Sequence, residues 1–168
     1  MRRVCHGTGA HGCGLYLLTL SHEGQPAKNM VYLTRKIEFS AAHRYHNPEF
    51  SAEENRRIFG KCNFPNGHGH NYVLEVTIGG ETDPATGMVL DLKELKELLD
   101  REVMDRMDHR SLNHEVAELT GRIPTCENVA TVIWELLAPK IRRGKLARVR
   151  LWESPDLYVD CYGERGGS

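Results

Sequence analysis

Residues 68–78 read His-Gly-His-Asn-Tyr-Val-Leu-Glu-Val-Thr-Ile, and from His70 onward apolar and polar side chains alternate. Alternation with a period of two is typical of a strand that buries one face. A second segment with this period lies upstream, from Val31 to His43, and its apolar face also ends in a histidine. The two segments therefore predict two strands of a sheet, each with histidine on its apolar face.

The rest of the chain predicts two helices and two more strands. Asp91 with Glu94 forms a capping-box-like start to a first helix, and a second apolar stripe at helical spacing begins near Thr125. Alternating segments at residues 147–153 and 157–162 close the pattern. The order β, β, α, α, β, β indicates an antiparallel α+β domain and not a doubly wound one.

The length of 168 residues favours one domain with a substantial core. Residues 1–29 are rich in Gly and His, lack periodicity and precede a second methionine. We therefore expect a disordered N-terminal extension at 1–29, followed by a single catalytic domain at 30–168. Within that domain, residues 46–66 predict a long loop with a helical turn near Ala52–Ile58.

The composition excludes several classes of protein. A formal net charge of −1 gives no long-range attraction to nucleic acid or to an anionic membrane. No stretch approaches the roughly 20 consecutive apolar residues that span a bilayer. The 5 cysteines, odd in number and without a C-x-x-C pair, argue against a disulfide framework or a thiolate zinc finger. We expect a cytoplasmic protein, and a small anionic ligand is compatible with this charge.

The sharpest local feature is His68-Gly69-His70. On a strand, residues two apart point to the same face, so the two imidazoles can converge on one ion. His43 ends the preceding strand and can supply a third nitrogen if the strands pair. Three neutral protein ligands with an open fourth position are the arrangement of a catalytic zinc site. Hydrogen-bonded histidines without a metal are the alternative interpretation.

Cys62 lies six residues before His68, in a loop that would end beside such a metal. A thiol near a dication and near Lys61 should be more acidic, which makes it a candidate base or nucleophile. A fourth zinc ligand and a buried thiol are the alternatives. His109 could take the proton from Cys62, with Asp108 fixing the imidazole tautomer, although Asp-His pairs are also common in turns.

Three further polar residues are candidates for ligand binding. Glu153 closes an apolar strand, where a carboxylate either pairs with a base or binds a ligand. Thr125 and Glu127 lie at a helix start, where capping explains them and a ligand contact would be an additional role.

The segment Cys62-Asn-Phe-Pro-Asn-Gly-His-Gly-His-Asn-Tyr72 resembles the signature of the 6-pyruvoyl tetrahydropterin synthase and 6-carboxytetrahydropterin synthase family. The likeness covers residues 31–164 in order. Its five other segments are Phe39-Ser-Ala-Ala-His-Arg44, Asp83-Pro-Ala-Thr-Gly-Met88, Met107-Asp-His-Arg-Ser-Leu112, Thr125-Cys-Glu-Asn-Val129 and Trp152-Glu153.

The resemblance implies a tunnelling fold (T-fold), in which a four-stranded antiparallel sheet carries two helices on one face and closes with other subunits into a barrel. It implies a homohexamer, built as a dimer of trimers, with active sites at subunit interfaces. It also implies a zinc-dependent lyase that converts 7,8-dihydroneopterin triphosphate to 6-pyruvoyl-tetrahydropterin and releases triphosphate.

The same resemblance implies roles for individual residues, in three groups. The zinc ligands are His43, His68 and His70. The catalytic group is the proton-abstracting Cys62 with its relay partners Asp108 and His109. The pterin pocket is formed by the ring-anchoring Glu153 with Thr125 and Glu127.

Two positions depart from the family pattern. Phe64 stands where many members have Asn, and Cys126 stands where Thr or Ser is usual. Two alternative functions stay open: a 6-carboxy-5,6,7,8-tetrahydropterin synthase of queuosine biosynthesis acting on the same substrate, and a catalytically inactive zinc-binding T-fold protein. A zinc hydratase with three histidines is a further alternative, but it would not need Cys62.

Overall fold

The computed structural model describes residues 29–163, which form one five-stranded sheet with helices packed against it. The strands are β1 (Val31–His43), β2 (His68–Gly80), β3 (Arg110–Ser111), β4 (Lys145–Ser154) and β5 (Leu157–Cys161). Their order in the sheet is β3-β1-β2-β4-β5. Neighbouring strands are antiparallel, except that the short β3 runs parallel to β1.

The helices are α1 (Ala52–Phe59), α2 (Leu92–Leu99), α3 (Asp105–Met107) and α4 (Cys126–Leu137). Helix α1 begins with a capping box, in which Ser51 and Glu54 each bond the other's backbone N–H. A π-helical segment, Asp100–Met104, joins α2 to α3. Within residues 29–163, no helix has the length and apolar character needed to cross a membrane.

The core lies between the helices and one face of the sheet. On β2, the side chains of that face are completely buried: Tyr72, Leu74, Val76 and Ile78. They belong to one apolar cluster with residues of the helical segments, namely Leu95, Leu99, Val103, Val129, Ile133 and Leu137. Burying each large apolar side chain contributes about 1.5–3 kcal/mol, so this cluster determines which face of each strand turns inward.

The structure confirms the predicted element order and the two long strands near the N-terminal end of the domain. It corrects the predicted four-stranded, all-antiparallel sheet, because β3 adds a fifth strand parallel to β1. Only two residues of β3 pair, Arg110 with Ala41 and Ser111 with Ala42, and two residues are too few for an alternating pattern. The predicted helical turn in the loop is a complete helix, α1, followed by a 3-10 turn at Gly60–Asn63.

Candidate metal centre and active site

The pairing of β1 with β2 brings three histidines together. His43 lies directly opposite His68, and His70 lies opposite Ala41, so all three imidazoles share the helix-covered face. The Nε2 atoms of His43 and His68 are 3.2 Å apart. One nitrogen from each ring lies within 4.8 Å of the others, and the group could hold a metal ion. The structure thus shows the convergence that the strand pattern predicts.

The protonation state of His43 follows from its surroundings. Its Nδ1 lies 3.0 Å from the carbonyl oxygen of Pro124, and a carbonyl only accepts, so we infer that Nδ1 carries the proton. The pKa of His43 is lowered to about 4, chiefly by burial and to a smaller extent by the neighbouring His68 and His70, against the effect of the Pro124 hydrogen bond. The ring is therefore neutral near pH 7, with the Nε2 lone pair facing the cluster.

A carboxylate closes the other side of this cluster. Oε1 of Glu153 lies 3.4 Å from Nε2 of His43 and 3.6 Å from Nε2 of His70. With His43 neutral, its contact with Glu153 is not an ion pair, because an unprotonated nitrogen and a carboxylate oxygen both present lone pairs. The Nε2 atom of His70 is buried and has no hydrogen-bond partner among residues 29–163. A cation between these atoms would remove the repulsion between His43 and Glu153 and would give Nε2 of His70 a partner.

The donor set fits a zinc ion. In a tetrahedral site with Zn–N bonds of 2.0–2.1 Å, ligand nitrogens lie about 3.3 Å apart. The separation of 3.2 Å between Nε2 of His43 and Nε2 of His68 agrees with this geometry. The Pro124 carbonyl on Nδ1 of His43 is the kind of outer partner that fixes the tautomer of a metal-binding histidine.

Cys62 lies in the 3-10 turn Gly60–Asn63 and is half-buried. Burial raises the pKa of its thiol, and the nearby charge of Glu153 raises it as well. The chain's own groups therefore favour the protonated thiol, contrary to the acidification expected from the sequence. A lower pKa at Cys62 would have to come from a cation at the three histidines or from a group outside this chain.

Asp108 and His109 form the predicted pair at the end of α3. Nδ1 of His109 lies 2.9 Å from Oδ2 of Asp108, and Oδ1 of Asp108 accepts a 2.9 Å hydrogen bond from the backbone N–H of Ser40. The Ser40 hydrogen bond, followed by the interactions with His109, lowers the pKa of the Asp108 carboxyl. The aspartate is therefore ionised and oriented toward the imidazole.

Within residues 29–163, no hydrogen bond joins His109 to Cys62. The His109 side chain is 82% exposed. It borders an open depression of about 460 Å³. That depression is also lined by His70 of the cluster and by residues that alternate with the histidines along the strands, namely Ser40, Ala42, Gly69 and Asn71. The predicted contact between His109 and Cys62 therefore stays a prediction.

The remaining predicted site residues, Thr125 and Glu127, lie at the start of α4. Thr125 caps α4, since its hydroxyl oxygen accepts a hydrogen bond from the N–H of Asn128 at 3.3 Å. Glu127 lies in the first turn of α4 and is exposed. Thr125 directly follows Pro124, whose carbonyl holds His43, so this helix start adjoins the histidine cluster.

Two site residues were missed by sequence reasoning. The hydroxyl of Tyr45 donates to Oε1 of Glu153 at 3.2 Å. Burial raises the pKa of this phenol, and Glu153 raises it further, so Tyr45 remains a donor. The Tyr72 hydroxyl lies 3.0 Å from Nδ1 of His43. The alternating pattern had placed Tyr72 on the apolar face of β2, and it was therefore predicted only as a core residue. Nothing in the spacing of the loop singled out Tyr45.

Replacement of Gly67 should disturb the histidine cluster. Gly67 has φ of +67°, and a Cβ there would lie 2.6 Å from the carbonyl oxygen of His43. We expect Gly67→Ala to lower the free energy of unfolding by roughly 3 kcal/mol and to weaken metal binding, measured by urea denaturation and metal titration. Gly121→Ala is the control, because Gly121 has φ of +77° but no atom within 4 Å of its Cβ position. Equal losses in both variants would contradict a steric effect at His43.

The neutral His43 predicts a loss of stability in acid. Its pKa is 6.5 when unfolded and about 4 when folded, so the folded state binds fewer protons between these values. The contribution of His43 to the free energy of unfolding is therefore complete above pH 6.5. It declines as the pH falls toward 4, by at most ~3 kcal/mol. Urea denaturation of the metal-free protein should show this decline in the wild type and a smaller one in His43→Gln. Parallel pH curves for the two proteins would contradict the assignment.

Comparison with known proteins identifies the family of this chain. Residues 32–164 match the family model described as 6-pyruvoyl tetrahydropterin synthase. The human 6-pyruvoyl tetrahydrobiopterin synthase is 42% identical over 145 residues, which cover 86% of this chain and 100% of the human protein. A 6-carboxy-5,6,7,8-tetrahydropterin synthase of Rickettsia felis is 29% identical and covers 78% of this chain and 99% of its own length.

A solved structure supports the same family assignment in three dimensions. The 6-pyruvoyl tetrahydropterin synthase of Caenorhabditis elegans superposes with a TM-score of 0.78 at 40% identity, covering 82% of this chain and 98% of that one. The chain belongs to the 6-pyruvoyl tetrahydropterin synthase family.

Proposed function

We propose that this protein is a 6-pyruvoyl-tetrahydropterin synthase, a lyase that acts on 7,8-dihydroneopterin triphosphate in tetrahydropterin biosynthesis. One observation carries the proposal: three histidines converge opposite a carboxylate, with a thiol close enough for that carboxylate to raise its pKa. The names of the relatives, led by the human enzyme at 42% identity, support this activity. The catalytic domain is placed at residues 30–168, which includes the segment that the family model matches.

We assign zinc to His43, His68 and His70. Three imidazole ligands, a fixed outer hydrogen bond and the 3.2 Å separation of the His43 and His68 nitrogens suit this ion. A zinc ion bound there would polarise the side-chain oxygens of the substrate and make the adjacent C–H more acidic.

The chain's own residues supply the remaining parts of the reaction. Glu153, with two carboxylate oxygens, accepts hydrogen bonds from the N–H groups of the pterin ring and orients it. The Cys62 thiolate removes the proton from the activated carbon of the side chain. Elimination then breaks the C–O bond to triphosphate, and proton return completes an internal redox rearrangement that consumes no external oxidant. Thr125 and Glu127 border the pterin pocket at the start of α4.

The related 6-carboxytetrahydropterin synthase reaction is the second candidate. It uses the same substrate, and the Rickettsia felis relative bears that name. The lower identity of that relative, 29% against 42% for the human protein, favours the pyruvoyl reaction. A zinc-binding protein without activity is disfavoured, because it would not need Cys62, His109 and Glu153 together.

Product analysis tests the activity. Zinc-loaded protein incubated with 7,8-dihydroneopterin triphosphate should release triphosphate and retain the three-carbon side chain, as determined by mass spectrometry.

Cys62→Ala should lower kcat by about 100-fold or more, because the base is lost. Chelation should abolish activity and added zinc should restore it. Cys161→Ala is the control, since this half-buried thiol lies on β5. Release of acetaldehyde would indicate the carboxy reaction, and no turnover by the wild type would exclude both.

We further propose a homohexamer built from two trimers. Only Ala41 and Ala42 of β1 pair with β3, so most of the β1 edge is open in the described chain, and β5 forms the opposite edge of the sheet. Open edges favour pairing with strands of other chains. The exposed His109 would then serve the Cys62 of a neighbouring subunit, which agrees with the absence of a hydrogen bond between the two residues within residues 29–163.

Mixed oligomers test whether the relay crosses a subunit interface. Cys62→Ala and His109→Ala should each be nearly inactive alone. Co-assembled in equal amounts, they should recover about a quarter of the wild-type activity, because random mixing pairs an intact cysteine with an intact histidine at that frequency. Turnover by purified mixed oligomers is the measurement. The double variant mixed with either single variant is the control and should stay inactive. Absence of recovery would place the relay within one chain.

A further inference from the structure

We propose that Tyr45 is a positioning residue, which holds the Glu153 carboxylate toward the three histidines and connects it to the segment that carries Cys62. The inference rests on the proposed function in one respect, since it takes Glu153 to be the group that binds the pterin ring. It assigns to Tyr45 a part in substrate binding that follows from contacts of its hydroxyl, its ring and its backbone.

The hydroxyl of Tyr45 determines where Glu153 points. It donates to Oε1 of Glu153 at 3.2 Å, and this same oxygen faces Nε2 of His43 at 3.4 Å and Nε2 of His70 at 3.6 Å. The Glu153 side chain is only 10% exposed, so few other donors can reach it. One hydrogen bond uses one of the acceptor sites of the carboxylate and leaves the others for the N–H groups of a ligand.

The aromatic ring of Tyr45 is itself held in place. It meets the ring of His43 edge to face, with centroids 4.8 Å apart, and the ring of Phe59 at 6.1 Å. Such contacts fix the plane of the phenol and therefore the direction of its hydroxyl. The hydroxyl position is thus determined by a metal-cluster histidine on one side and by α1 on the other.

The backbone of Tyr45 is bound to the Cys62 segment from both sides. Its N–H donates to the carbonyl oxygen of Cys62 at 2.8 Å, and its own carbonyl accepts from Nδ2 of Asn63 at 2.6 Å. A single residue therefore contacts the proposed pterin anchor, a histidine of the cluster and the segment of the proposed base. This arrangement fixes Glu153 relative to Cys62 before substrate arrives. It therefore reduces the entropic cost of ordering these side chains on binding.

Tyr45→Phe tests the proposal, because it removes the hydroxyl and retains the ring and backbone contacts. With 7,8-dihydroneopterin as the probe, calorimetry should show its Kd raised by about 2- to 10-fold, the range expected for one net hydrogen bond. KM for the triphosphate substrate should rise by a similar factor, while kcat, bound zinc and Tm stay near the wild-type values. Tyr162→Phe is the matched control, since its hydroxyl also donates to a carboxylate, Asp160, at 3.4 Å.

A double-mutant cycle separates positioning from a general structural effect. In the Glu153→Gln background, adding Tyr45→Phe should change the Kd of 7,8-dihydroneopterin little, because the group that Tyr45 orients is already altered. An additive loss, an unchanged Kd in Tyr45→Phe alone, or a loss of zinc in that variant would each overturn the proposal. Wild-type protein that neither binds nor turns over the pterin would overturn the proposed function as well, whereas normal turnover in Tyr45→Phe at unchanged KM overturns only the role of Tyr45.

Discussion

The register between β1 and β2 is the constraint on which the site depends. Pairing runs without interruption from Val31 opposite Gly80 to His43 opposite His68. Because side chains alternate along a strand, a slip by one residue would move every core side chain of a strand to the other face. The buried apolar cluster opposes such a slip, so the same burial that stabilises the fold keeps the three histidines together.

The electrostatics of the cluster follow from that burial. Removal of His43 from water keeps its imidazole neutral, and the Pro124 carbonyl selects the tautomer that leaves Nε2 bare. Glu153 then places a carboxylate oxygen against the unprotonated Nε2 of His43, an arrangement that is unfavourable unless a cation lies between them. The chain holds these acceptors together through Tyr45 on the carboxylate and the backbone carbonyl on the imidazole. Preorganisation of this kind is what a metal site of defined geometry requires.

The sequence predicted the parts of this structure that arise from regular periodicity. The two long strands, the start of α4 at Thr125 and the convergence of His43 with His68 and His70 all follow from alternation or capping. Strand β3 could not be predicted, since its pairing depends on the left-handed His109, at φ of +57°, turning the chain back beside β1.

The contacts of Tyr45 could not be predicted from the sequence for a related reason. They join residues 108 positions apart, from the loop after β1 to the end of β4, and no local pattern encodes them. Sequence patterns therefore indicated the chemistry of the groups, whereas tertiary packing determined which of them meet.

The exposed position of His109 has a physical cause in the sheet itself. The histidine cluster lies on the helix-covered face, whereas His109 leaves α3 at the β3 edge, where its N–H bonds the carbonyl of Ser40 at 2.6 Å. A non-glycine residue at positive φ costs of order 1 kcal/mol or more, and such strain persists only where surrounding contacts enforce it. Here the Ser40 bonds enforce it, and the result is an ionised Asp108 orienting an exposed imidazole. In the proposed hexamer, an imidazole held in this way would be available to a neighbouring subunit, and proton transfer would depend on assembly of the oligomer.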